Sequence, residues 1–175
     1  MSAVLEAPAP LAAERKPEQA NKVVIILSSG DLEKVWAALI IANAGAAMEK
    51  ETSIFFTFWG FFPLVKNDVR ITGTNWMQKM LSFMNRGGDE HMKLGKMNFA
   101  GAGPAMMKHL AREHHSALPH ELMESARELG VRLIPCQMSM DLMGLKREDL
   151  IDGLEDPIGA ATMLALAEGA TTFFI

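Results

Sequence analysis

The residues best placed to do chemistry lie in Val131–Gly144, VRLIPCQMSMDLMG, which carries Cys136, the one cysteine among 175 residues. The apolar run Val131 to Ile134 predicts a short strand, Pro135 stops it, and the Met-rich segment after Cys136 has the composition of a helix start. A thiol at such a junction is a candidate nucleophile. The reactive form is the thiolate, which an ordinary cysteine populates only slightly at neutral pH. The first N–H groups of a helix lack partners within it and carry positive partial charge. Those of Gln137, Met138 and Ser139 are the candidate donors to the sulfur, and Pro135 is expected to present the thiol outside the sheet. Asp141 opposes the anion if it lies near, or serves as a capping or loop-holding group. A small buried cysteine with no reactivity is the competing reading of the same residues.

Three further groups have chemical potential. Ser28, Ser29 and Gly30 lead into Asp31 after an apolar run, and the backbone N–H groups of such a loop can cradle an anion. SSGD is shorter than the glycine-rich nucleotide-binding fingerprints, and ordinary turn chemistry with Asp31 capping a helix explains it better. Phe61 and Phe62 follow the second predicted strand, where they either line a ligand crevice or pack against a neighbouring segment or subunit. His91, His109, His114, His115 and His120 crowd one region, but no zinc-binding spacing is among them. The 14 methionines form no regular array with His or Cys, so adaptable packing or an interface accounts for them better than a copper site. No metal or other cofactor is expected.

These residues need a scaffold, and the rhythm of the chain supplies one. Strands are predicted at Lys22–Leu27, Thr52–Phe58, Val131–Ile134 and Thr171–Ile175. Helices are predicted from Asp31 to about Met48, from Ala105 to about His114, over Pro119–Leu129, over Lys146–Leu154 and over Ile158–Glu168. This alternation implies an α/β fold with a mostly parallel sheet of about five strands covered on both faces. Residues 1–20 read as a flexible tail, 21–175 as one domain, and 66–103 as an insertion holding a helix at Asn75–Met84 and a mobile loop at Arg86–Asp89. A 49% hydrophobic content suits one core, and a net charge of -4 with scattered cations argues against a nucleic-acid partner. The first twenty residues lack the apolar core of a signal peptide, and no later run has the length of a membrane span. With a single cysteine no internal disulfide can form, so a reducing cytoplasm is the expected compartment.

KVVIILSSGDLEKVWAALIIANAGAAM, FFTFWG, KMNFAGAGPAMMKHL and above all IPCQMSMDLMGLKREDLIDGL resemble the DsrE/DsrF/DsrH-like family, within it the DsrE-type sulfurtransferase or peroxiredoxin-like branch. The resemblance extends over nearly everything after the tail. It implies a three-layer α/β/α domain, a homo-oligomer, and a cysteine, mapping onto Cys136, that carries sulfane sulfur as a persulfide to a partner thiol. The partners implied are TusA-like carriers and rhodanese-like sulfurtransferases. Met138, Met140 and Met143 with Phe61 and Phe62 are expected to form an apolar rim around that persulfide. Without a second cysteine, a peroxidase cycle needs an external resolving thiol. A thiol redox sensor or peroxidase, and a nucleotide- or coenzyme A-binding module with an incidental cysteine, are the alternatives.

Overall fold

The computed structural model describes residues 21–67, 92–96 and 98–175. Its order begins with β1 (Lys22–Leu27), α1 (Leu32–Ala47) and β2 (Glu51–Phe56), followed by a 3₁₀ turn over Phe58–Leu64. After the segment outside the described residues come α2 (Ala102–Glu113), α3 (Pro119–Glu128), β3 (Arg132–Pro135), α4 (Gln137–Met143), α5 (Ala160–Leu166) and β4 (Thr171–Phe174). The predicted helix Asn75–Met84, the loop Arg86–Asp89 and His91 lie outside the described residues.

Among the described residues β1 to β4 form one parallel sheet in the order β3-β2-β1-β4, close to the expected number of strands. Their β-branched and aromatic residues suit strands buried on both faces. The chain steps from β1 to β2 to β3 in one direction, with α1 and then α3 as crossovers on one face. It then returns past the whole sheet to β4 through α5. Right-handed crossovers that reverse direction must use opposite faces, which is why α5 covers the face that α1 and α3 leave open. The result is three layers.

Side-chain alternation divides the core accordingly. Val23, Ile25, Leu27, Ile54, Phe56 and Leu133 face α1 and α3 and form the larger cluster. Val24, Phe55, Ile134 and Cys136 face the other way and form a smaller cluster closed by Met163 of α5. α1 reads apolar nearly all round, and it packs Leu32, Val35, Ala38, Leu39 and Ala42 into the larger core.

Two predicted helices form differently. Lys146–Leu154 makes only a 3₁₀ turn at Arg147–Asp149, because Leu150 turns extended and bridges to Val65. The last helix starts at Ala160 instead of Ile158, because Ile158 bridges to Cys136 as a strand residue would. α2 begins earlier than expected, at Ala102, which still leaves Pro104 in its first turn, where no N–H is required.

Candidate functional site

The register of β2 and β3 builds the site. Phe56 pairs with Pro135, so Thr57 and Cys136 stand level, each one residue past its strand end. The Cys136 N–H still donates to the Phe56 carbonyl at 2.9 Å, and α4 begins at the next residue. Gly144 ends α4 in the left-handed conformation at φ 67°, a geometry that glycine adopts without strain.

Cys136 is 3% exposed. The expectation of a thiol presented to solvent is corrected here. Period-two alternation gives Cys136 the same face as Ile134, and that face is closed by Met163. On the outer side of β3, Ile158 donates its N–H to the Pro135 carbonyl at 3.1 Å and accepts the Gln137 N–H at 3.0 Å. The Gln137 amide is therefore engaged with Ile158 and is no donor to the sulfur.

Burial by itself raises the Cys136 pKa. Against it act the neighbouring donors, first the Ser139 hydroxyl and N–H, then the Thr57 hydroxyl and the Met138 N–H, and the balance falls below the ordinary thiol value. Ser139 is 2% exposed, and its Oγ also accepts the Phe58 N–H at 2.8 Å and lies 3.3 Å from Thr57 Oγ1. Asp141 is held by Gln137, whose Nε2 donates to Oδ1 at 2.8 Å, so the two side chains satisfy each other on the exposed side of α4.

Thr57 is the residue that the sequence reading missed. The signal that finds it is the parallel register, which sets the residue after Phe56 beside the residue after Pro135. Reading the second strand through Phe58 had placed Thr57 inside it.

The other candidate residues lie in a belt joined to this site by the turn after β2. Phe61 is fully buried and Phe62 is 7% exposed, both in the larger core. Met140 and Met143 are buried there too, so these four are core side chains and do not form a rim. The apolar side chains that do face outward nearby are Phe58, Trp59, Met138 and Leu142. Gly60 donates its N–H to the Ser28 carbonyl, and a Cβ at Gly60 would run into the Leu27 carbonyl, so only glycine fits this crossing.

The SSGD loop is occupied by internal partners. Ser28 gives both its N–H, at 2.8 Å, and its hydroxyl, at 3.0 Å, to the Ile175 carbonyl. Ser29 Oγ donates to the Asp31 carboxylate at 2.9 Å, and Gly30 sits against the Trp59 carbonyl. As folded, the loop spends its hydroxyls on closing β4 and α1 onto β1. Among the described residues no group of three or more His, Cys, Asp or Glu converges as a metal site. His109 instead lies 3.4 Å from Glu113 on the exposed side of α2.

A parallel sheet with crossovers on both faces defines a three-layer α/β domain, with Cys136 at the end of one of its strands. The model of the DsrE/DsrF/DrsH-like family matches residues 19–174, and the chain belongs to that family. It is 43% identical over 159 residues to the uncharacterized protein YrkE of Bacillus subtilis strain 168, an alignment spanning 90% of this chain and 99% of that one. It is 32% identical over 153 residues to the sulfur carrier protein DsrE2 of Allochromatium vinosum, spanning 84% of this chain and 92% of that one. Among solved structures, MTH1491 of Methanobacterium thermoautotrophicum, a protein of unknown function, aligns at a TM-score of 0.47 and 13% identity, covering 88% of this chain and 98% of that one. No helix among the described residues is long and apolar enough to cross a membrane.

Proposed function

We propose that the protein is a sulfur carrier that holds sulfane sulfur as a persulfide on Cys136 and hands it to the thiol of a partner protein. The observation that carries this reading is the placement of the thiol: Cys136 ends β3 level with Thr57, beside the paired Thr57 and Ser139 hydroxyls, and its pKa is held below the ordinary thiol value by those neighbours despite burial. Support comes from the family and from similarity to a sulfur carrier over most of both chains.

In the loading step the Cys136 thiolate attacks the outer sulfur of a donor R–S–SH. The new Sγ–S bond forms as the donor S–S bond breaks, and R–S⁻ leaves with the bonding pair, giving Cys136–S–SH. In the unloading step an acceptor thiolate attacks that outer sulfur, the Sγ–S bond breaks, and the Cys136 thiolate returns. Neither step changes the net oxidation state, and neither requires a metal. Because Sγ is enclosed, both steps require the cover over it to open. The element best suited to do so is α5, in which Met163 is the single buried residue. TusA-like carriers and rhodanese-like proteins in the cytoplasm are the acceptors and donors that fit this chemistry. A homo-oligomer assembled through the exposed β4 edge is part of the same reading.

Mass spectrometry of the intact chain after incubation with polysulfide or thiosulfate tests it. The wild type gains one sulfur atom, reversibly by reductant, and Cys136→Ser gains none. A gain that survives in Cys136→Ser would overturn the assignment. Dimedone trapping after peroxide in a chain that never loads sulfur would favour the thiol peroxidase or sensor reading instead.

A further inference from the structure

Two hydroxyls converge on the thiol, and the reaction as written above gives neither a part. Ser139 Oγ accepts the Phe58 N–H at 2.8 Å, which leaves its own hydrogen for donation. Thr57 Oγ1, 3.3 Å away and hydrogen-bonded to it with either oxygen able to donate, is the other hydroxyl beside the sulfur, and that bond opens when both turn to the thiolate. They come from different elements, one from the end of β2 and one from the first turn of α4, and the β2–β3 register is what brings them together. Phe58, between them, holds φ at +45°, a left-handed conformation that an aromatic residue adopts only under constraint. The Ser139 hydroxyl supplies part of that constraint by accepting the Phe58 N–H.

We propose that Thr57 and Ser139 are catalytic residues of the sulfur relay, acting as a two-hydroxyl cradle that donates hydrogen bonds to the anionic Sγ of Cys136. This rests on the persulfide reading and deepens it. Neither hydroxyl gives up its hydrogen; each turns toward the sulfur as negative charge gathers there. When the donor sulfur adds, the charge on Sγ is spent in the new bond. When the acceptor thiolate attacks, the charge returns to Sγ as the leaving group, and the same two donors receive it. The cradle therefore favours both loading, by populating the nucleophile, and unloading, by stabilising the thiolate that departs. The groups that lower the thiol pKa are neutral dipoles of Ser139, Thr57 and Met138.

The composition of the chain makes the test clean. It has 1 cysteine and 0 tyrosines, so the far-ultraviolet absorbance of the thiolate, measured against Cys136→Ser, is free of other thiolates and of phenolate. Thr57→Val, Thr57→Ser and Ser139→Ala are titrated beside the wild type, and sulfur loading is followed by mass as a function of pH. Thr57→Val and Ser139→Ala titrate at higher pH than the wild type, while Thr57→Ser, which restores a hydroxyl, titrates as the wild type does. Loading by Thr57→Val at neutral pH falls about tenfold and recovers once the pH passes its own raised midpoint. An unchanged midpoint in Thr57→Val, or a loss of loading equal at every pH, overturns the proposal. Thr57→Val carries the decision if Ser139→Ala does not fold, since Thr57 is only half-buried and does not hold the Phe58 N–H. Absence of loading by the wild type at all pH values would remove the persulfide reading, whereas the shifted titration midpoints read the hydroxyls by themselves.

Discussion

At Cys136, burial and hydrogen bonding pull the thiol in opposite directions, and hydrogen bonding prevails. That balance has a consequence for stability. The unfolded chain keeps its thiol proton up to the ordinary value, whereas the folded chain releases it at lower pH. Between the two values unfolding takes up a proton, so stability rises with pH across that window. The contribution is complete above the unfolded value and is lost as pH falls through the folded one. Denaturant midpoints measured under reducing conditions will show the wild type gaining on Cys136→Ser over this window, and a constant difference would mean that the folded thiol is not depressed. A thiol at a strand end before a helix is legible in the sequence because Pro135 and the change of composition mark the junction. Its burial is not, because the closing side chain, Met163, comes from a helix that only the return crossover brings back to that face. Phe61 and Phe62 misled for a related reason: aromatic residues after a strand serve a core as readily as a crevice, and the tight crossing at Gly60 turns them inward.

The elements divide into firmly and weakly held ones. α1 and α3 bury a continuous apolar stripe against three strands, and their rhythm in the sequence was correspondingly clear. α5 is seven residues long and fully buries only Met163, with Leu166 half-buried beside it, so its docking rests on few side chains. Segments with so few buried contacts open at a lower free energy than the whole molecule. Met163→Ala removes about 2 to 5 kcal/mol of burial and cavity energy from that docking. Alkylation of Cys136 should then speed up at least tenfold, since an opening that costs 1.4 kcal/mol less is tenfold more populated, by about the relation between free energy and equilibrium. Met123→Ala, in the larger core under α3, should lower global stability by a similar amount and leave alkylation of the native state at its wild-type rate. Equal acceleration by the two variants would mean that Cys136 is reached only by global unfolding, and the α5 cover would be rejected.

For the whole molecule the two sheet edges are unequal. The β3 edge is closed by the chain itself, since Glu155 and Ile158 donate their N–H groups to Leu133 and Pro135 and Arg132 lies 3.1 Å from the Glu155 carboxylate. Among the described residues the β4 edge pairs with β1 on one side only, and its residues TTFF carry no charge or proline to discourage another chain. Phe173 shares the face of Ile25 and Phe174 that of Ile26, so apolar surface flanks this edge above and below. Phe174 is 73% exposed, and Leu164 on α5 is 69% exposed. An apolar patch on an unpaired edge is the surface that a second copy would cover. We therefore expect self-association of the wild type in sedimentation velocity, with its population rising with concentration. Phe174→Lys places a charge at the edge where little folded-state burial is lost, so the monomer's melting temperature should change by no more than a few degrees. The same change should shift the sedimentation boundary to the monomer. A wild type that sediments as a monomer at every concentration, or a Phe174→Lys variant that assembles as the wild type does, would rule out β4 as the contact. If Phe174→Lys dissociates the assembly and at the same time speeds alkylation of Cys136, then α5, which joins the thiol's cover to this edge, is held shut by the neighbouring copy.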